Sequence, residues 1–326
     1  MHIQSLISGG VISNYYCSSR CAHCLYRCSP EWSKDYISVE TAVMIFKRLK
    51  RMGISSVHIG GGEPFLNLDG LKALLSTAQS SDIQIEYVET NAAWFRDSDS
   101  AEEILSELQT VGLNSLLVSI SPFHNESIPF YKTKGLLTAC RKAGISTFPW
   151  VMDFYSDLDH FDENHPHALS EYENVFSSDY VARIPGRYWI HMGGRAVVTY
   201  RKLFSKIPLR LILARSGPCM ELTDTSHFHM DLYGKYIPGL CSGLAICIDE
   251  LKDPIPADKY PLLTVLYKEG VRGIYKIAEK YNHFGPRSAY LNKCDLCLDI
   301  RDFLYRKDAD AFPELSPSGF YQTSDK

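Results

Sequence analysis

Directly after a short apolar run, the segment NYYCSSRCAHC sets Cys17, Cys21 and Cys24 in the spacing CxxxCxxC. Three thiolates on one loop can wrap a cluster corner by corner, and cysteine thiolates are the usual protein ligands of iron–sulfur cubanes. Three ligands for a four-iron cluster leave one iron open, and an open coordination position implies a bound substrate or cofactor. Cys28 is available as a further thiol. A zinc knuckle is the alternative, but such sites use ligands arranged as two pairs, which an uneven triplet fits poorly.

Two other groups could do chemistry. In HIGGGEPFLN, Gly60, Gly61 and Gly62 let the backbone pass close to a ligand, and Glu63, followed by Pro64, presents a carboxylate at the end of a strand. Cys219, Cys241, Cys294 and Cys297, the last two as CDLC, can fully ligate a metal site. Their wide separation means that such a site would staple a whole module together. Iron–sulfur and zinc both suit four thiolates. His227 and His229 alternate on one strand face and could add a ligand, although strand histidines are commonly packed or hydrogen-bonded. Cys140 and Cys247 sit among apolar residues and read as small buried hydrophobes. The amino terminus, MHIQSLISGG, does not have the form of a signal peptide. A reducing, cytoplasmic setting is therefore expected, where clustered cysteines serve as ligands or catalytic groups rather than disulfides.

The elements that must position these groups alternate. Strands are expected over Gly10–Tyr16, Ser56–Gly60, Gln84–Thr90, Ser115–Ile120, Ser146–Met152 and Tyr188–His191, with helices between them that include Val39–Met52 and Ala101–Val111. This is the pattern of βαβ units and a parallel sheet, so the fold class is α/β. Thr90 and Asn91 end the third strand, and Ser119 and Ser121 end the fourth, where βα loops build active sites; each reads equally well as a loop cap. Asp153 to Tyr180 carries eight carboxylates and no Lys or Arg. It reads as a solvated insertion, with a lid or a dock for a basic peptide as the functional alternative. Beyond Leu211 a smaller α+β module is expected over 211–307, with a hairpin through Gly234 and a long helix from Tyr260 to Tyr281. Residues 308–326, rich in Pro, Ser and Asp, read as a frayed tail. The composition is 45% hydrophobic and 22% charged with a net charge of −4, and no apolar run spans a bilayer. Nucleic-acid and membrane partners are thus disfavoured, and a peptide or small-molecule substrate is favoured.

CxxxCxxC followed by GGEP resembles the radical S-adenosylmethionine (SAM) superfamily, whose signature has an aromatic residue before the last cysteine; here that residue is His23. The resemblance implies a partial (β/α)6 TIM-like barrel over 1–210, with a [4Fe–4S] cluster on Cys17, Cys21 and Cys24. It also implies SAM contacts from Gly61, Gly62, Glu63, Pro64, Asn91 and Ser119. WIHMGGRA, containing Arg195, resembles a GRA segment common in the superfamily. The C-terminal cysteines resemble the SPASM or shorter twitch modules, implying one auxiliary [4Fe–4S] cluster. The implied activity is reductive cleavage of SAM to a 5′-deoxyadenosyl radical acting on a peptide or small metabolite, with flavodoxin or ferredoxin as electron donor. Because no leader-binding domain is evident before the first strand, the peptide option is the weaker of the two. Two other classes remain open: an iron–sulfur electron-transfer or binding protein without SAM turnover, and a zinc-stabilised interaction module.

Overall fold

A computed structural model describes residues 1–322 apart from 150, 151 and 252. Five strands, β1 (Ser8–Ile12), β2 (Ser56–Gly60), β3 (Gln84–Thr90), β4 (Ser115–Val118) and β5 (Ser146–Pro149), pair in parallel in that order. A short β6 (Ile207–Pro208) pairs with β10 (Ala289–Tyr290) apart from the main sheet. β7 (His227–Asp231) lies on the free side of β1 and is parallel to it. The hairpin strand β8 (Lys235–Ile237) and then β9 (Ile246–Cys247) extend the sheet antiparallel. The order is β5-β4-β3-β2-β1-β7-β8-β9. The class is the α/β expected, with a mainly parallel sheet.

Small residues allow β1 to sit between two strands that carry large rings. A Cβ at Gly9 would fall 2.6 Å from the Phe228 ring, and one at Gly10 would fall 2.3 Å from His58 Nε2. On one face of the sheet Val11, Phe228 and Met230 are wholly buried in the main core. On the other, His58, His227 and His229 gather around Gly10. The helix over Val39–Arg51 shows why the crossovers form. The Ser38 side chain accepts from the Thr41 N–H, Glu40 lies in the first turn, and Arg48, Lys50 and Arg51 lie in the last, complementing the helix dipole. Its buried stripe is Ala42, Ile45, Phe46 and Leu49. Val39, at the start of the helix, is exposed.

Several expectations are corrected. β1 ends at Ile12, because Ser13 to Tyr16 leave the sheet to begin the cysteine loop, with the Ser13 N–H donating to the Gly60 carbonyl at 2.9 Å. Residues 150 and 151 of the fifth expected strand lie outside the described residues. Tyr188–His191 is not a strand: it leaves the helix over Tyr180–Arg187 as an irregular segment along a cavity wall, without strand pairing. The sixth parallel strand is β7, from the C-terminal module. The helix expected over Tyr260–Tyr281 is two helices, Pro261–Glu269 and Val271–Ala278, because Gly270 turns the backbone at a φ of 67°. Cys140 is buried as expected, but Cys247 on β9 is only half-buried.

The acidic segment folds into short helices over a separate apolar cluster that includes Phe154, Leu158, Tyr172 and Tyr180. Part of its charge is answered locally. Lys134 pairs with Asp159 and Glu163, each at 2.5 Å, and Arg187 pairs with Asp157. Of the tail expected to fray, the described part, 308–322, is packed instead, and 323–326 lie outside the described residues. Phe312, Leu315, Phe320 and Tyr321 join the main core, and buried Glu314 accepts from the N–H groups of Leu262 and Leu263 at the start of the Pro261–Glu269 helix. Apolar residues spaced among the Pro and Ser supply the burial that the composition hid. Phe320→Ala is therefore expected to destabilise the protein by about 3–5 kcal/mol in urea unfolding; an unchanged midpoint would mean that the segment frays.

Candidate active site

The cysteine loop has almost no regular secondary structure, so its buried backbone groups need partners from elsewhere. They come from the segment that follows Tyr188–His191. The Arg195 backbone N–H donates to the Cys24 carbonyl at 3.0 Å. Arg195 Nε donates to the Cys21 carbonyl at 2.9 Å, and its terminal nitrogen donates to the Cys28 carbonyl. Thr199 Oγ1 donates to the Ala22 carbonyl at 2.7 Å. This approach requires Gly194, which has a φ of 52° and where a Cβ would stand 2.2 Å from the Leu25 carbonyl oxygen. Arg195, whose role the sequence left open, is thus a clamp on the loop.

The GGEP segment is tied to the other end of the same loop. Gly62 N–H donates to the Asn14 carbonyl at 2.7 Å, Glu63 N–H donates to the Tyr16 carbonyl at 3.1 Å, and Asn14 Nδ2 donates back to the Glu63 carbonyl at 3.1 Å. The Glu63 side chain does not face the cavity as expected. It is wholly buried and accepts from the Phe65 N–H at 3.2 Å, Thr90 Oγ1 at 2.9 Å and the Asn91 N–H at 2.7 Å. These three donors make it a brace between the ends of β2 and β3.

Cys17, Cys21 and Cys24 line one cavity of about 280 Å³ together with Gly61, Gly62, Pro64, Asn91 and Ser119. Of the residues predicted for this site, only Glu63 stands behind the wall. Asn91 Nδ2 lies 3.5 Å from Cys17 Sγ and 3.4 Å from Ser19 Oγ. Cys28 also lines the cavity, 3.7 Å from the Gly61 carbonyl. Burial pushes Cys17 up to about 12 and Cys21 well above the ordinary thiol range, so a metal entering here would displace protons. A hydrogen bond from Cys28, aided by the Arg195 charge, draws Cys24 below that range. His23, in the place of the signature aromatic, stacks on Phe123 with ring centres 4.5 Å apart, and burial holds it neutral. Sequence reasoning missed Tyr87, Glu89, His124 and Tyr188 in this wall. For Glu89 the signal was its place beside Thr90 and Asn91 at the end of the third strand.

Cys219, Cys241, Cys294 and Cys297 line a second cavity of about 430 Å³, as their pairing at long range required. His191 and Leu240 belong to both walls, so the cavities adjoin. Arg301 and Lys293 line the second cavity. Burial pushes Cys219 up to about 12 and Cys294 up to about 11. His227 and His229 line the first cavity rather than this one, so they stand apart from the four thiols, and His229 is hydrogen-bonded as strand histidines commonly are. Among the described residues, only one group of three ligating side chains brings its ligand atoms within 4.8 Å of one another, and it contains no cysteine.

The three-cysteine loop thus stands at the carboxyl ends of parallel strands, beside a glycine-rich turn. Residues 11–163 match the family model described as the radical SAM superfamily, and the chain carries a radical SAM domain over that stretch. No curated protein matches the chain. Among solved structures it is similar to native anSMEcpe with bound AdoMet, at 14% identity and a TM-score of 0.45, covering 92% of this chain and 98% of that one. It is also similar to Streptococcus suis SuiB, at 15% identity and a TM-score of 0.34, covering 84% and 68%. A third is methylornithine synthase, at 16% and 0.34, covering 45% and 44%. No helix among the described residues is long and apolar enough to cross a membrane.

Two expected outcomes test this geometry. Arg195→Lys keeps the charge but cannot hold both carbonyls, and should cost about 1–3 kcal/mol of loop ordering, read as faster iron loss to a chelator. Burial pushes the Glu63 carboxyl up to about 7 from its ordinary 4.5. Its stabilising contribution is complete below about pH 4.5 and is lost as pH rises through about 7. The Glu63→Gln protein should therefore show a smaller fall in unfolding midpoint over that range than the parent.

Proposed function

We propose that this chain is a radical SAM enzyme acting on a peptide or small metabolite, assisted by an auxiliary [4Fe–4S] cluster in its C-terminal cavity. The observation that carries this reading is the convergence of Cys17, Cys21 and Cys24 with Gly61, Gly62, Pro64, Asn91 and Ser119 on one cavity. The residues fit the cofactors the family implies. His23 Nδ1, Tyr188 Oη and His191 Nδ1 are buried in residues of this wall without a protein partner, as groups that await a polar ligand would be. When bound, the cluster supplies one electron to the sulfonium of SAM, giving methionine and a 5′-deoxyadenosyl radical that removes a substrate hydrogen.

The chain's own part is placement and exclusion of water. Cys17, Cys21 and Cys24 would hold the cluster, and Arg195 keeps the intervening backbone from shifting. Gly61, Gly62 and Pro64 offer backbone to the methionyl end of SAM. Asn91 and Ser119 offer hydrogen bonds on the opposite wall, while Glu63 holds the Asn91 backbone in place.

In the second cavity, Cys219, Cys241, Cys294 and Cys297 would hold the auxiliary cluster, with Arg301 and Lys293 offsetting its negative charge. Its adjacency to the first cavity suits a role in binding substrate or accepting the electron left after hydrogen removal. A flavodoxin or ferredoxin of the cytoplasm is the donor class that such chemistry needs.

The test is anaerobic reconstitution followed by SAM cleavage under dithionite. We expect about eight irons per parent chain and about four in the Cys17→Ala/Cys21→Ala/Cys24→Ala variant. Cys219→Ala/Cys297→Ala should also fall to about four. The parent and the C-terminal variant should release 5′-deoxyadenosine, and the triplet variant none. Cluster-loaded parent that releases none would make the chain an iron–sulfur binding protein, and zinc retained at the C-terminal cysteines would make that site structural.

A further inference from the structure

The face of the sheet opposite the main core holds three histidines that the radical SAM reading does not use. His58 stands on β2, and His227 and His229 stand on β7, two strands away. The strand between them, β1, contributes Gly10, paired in register with both His58 and His229. Because Gly10 has no side chain, the two imidazoles meet across it. His58 Nε2 and His229 Nε2 are 3.1 Å apart. The ligand atoms of His58, His227 and His229 all lie within 4.8 Å of one another.

We propose that His58, His227 and His229 form a binding site for a divalent first-row transition ion, zinc or iron(II), in the wall of the radical SAM cavity. Two imidazole nitrogens bound tetrahedrally to one zinc stand about 3.3 Å apart, close to the separation of the first pair. Burial and the neighbouring rings hold His58 down to about 3 and His229 well below its usual range, so both present a lone pair rather than a charge. The outer contacts have the form metal sites use. His229 Nδ1 is 2.8 Å from the Tyr26 hydroxyl, which leaves Nε2 to turn inward. The His58 ring is stacked between Tyr87 and His227, at 5.0 and 5.2 Å between ring centres, so its orientation is set. Glu89 Oε1 lies 3.8 Å from His58 Nε2, close enough for the carboxyl to accept a hydrogen bond from a donor bound at the ion.

His227, His229 and Glu89 line the cavity that also holds the signature cysteines. The remaining coordination position of the ion therefore faces the space where a substrate enters, and an oxygen or nitrogen donor on that substrate can complete it. Imidazole ligands suit zinc and iron over the hard cations, and the absence of thiolate separates this site from both cysteine groups. The site stands on the histidine geometry alone and holds whether or not SAM is turned over.

The experiment uses cluster-loaded protein, incubated anaerobically with zinc chloride, passed through a weak chelator and analysed for zinc and iron. The parent should retain one zinc beyond its iron. His227→Ala and His229→Ala should each weaken zinc retention about tenfold or more with iron unchanged, and Tyr26→Phe should weaken it less. Cys219→Ala/Cys297→Ala should keep the zinc. A parent without zinc, or histidine variants that keep it, would overturn the proposal. Should a histidine variant also lose iron, cobalt(II) added to the parent decides. Visible d–d bands without thiolate charge transfer support the three-imidazole site, and thiolate charge transfer from the added cobalt refutes it.

Discussion

The guanidinium and backbone of Arg195 hold the middle of an irregular loop whose ends are tied elsewhere. Peptide carbonyls at Cys21, Cys24 and Cys28 point inward, where water cannot satisfy them, and each finds its donor on this one residue. Without those bonds the carbonyls of Cys21, Cys24 and Cys28 would lose the donors that fix this stretch, leaving the Thr199 hydroxyl on Ala22 and the ties at the loop's ends. The position of Arg195 depends on Gly194 and on the extended run from Tyr188. The first core, the wall of the cavity and the segment dividing it from the second cavity therefore meet at one short stretch of chain.

The signature chemistry was legible because spacing along the chain and proximity in space coincide there. Cys17, Cys21 and Cys24 belong to one loop, and the GGEP turn follows the next strand, so a parallel sheet must bring them together. Cys219, Cys241, Cys294 and Cys297 were legible for another reason: thiols are few and costly to leave scattered. The tail was misjudged because Pro, Ser and Asp dominate its composition, while four apolar side chains decide its packing. Glu63 was placed in the right loop but on the wrong side of it, since the direction of one side chain depends on donors at Thr90 and Asn91 that lie a strand away. The histidines were read as a pair on one strand. Their third member, His58, is nearly 170 residues distant, and only the register across Gly10 makes the three a set.

The same pairing fills the sixth parallel place of the open sheet from the C-terminal part of the chain. Tyr188–His191, where a sixth strand was expected, runs along the cavity wall instead. The free side of β1 is taken by β7, whose Phe228 and Met230 complete the apolar face beneath. The C-terminal module is thereby part of the sheet rather than an appendage, and one hydrophobic core runs through both.

Pairing β1 with β7 also bears on how the chain is made. During synthesis β1 emerges early and finds β2 soon afterward, but its second neighbour is translated more than two hundred residues later. Until then one edge of the central strand, rich in glycine and flanked by apolar residues, offers unpaired backbone groups to any other strand. Closing so long a loop is slow, because its entropy is lost before the contact repays it. The nascent protein thus spends its most vulnerable interval with its future cofactor cavity open on the side that β7 will cover, and chaperone protection during that interval favours correct assembly.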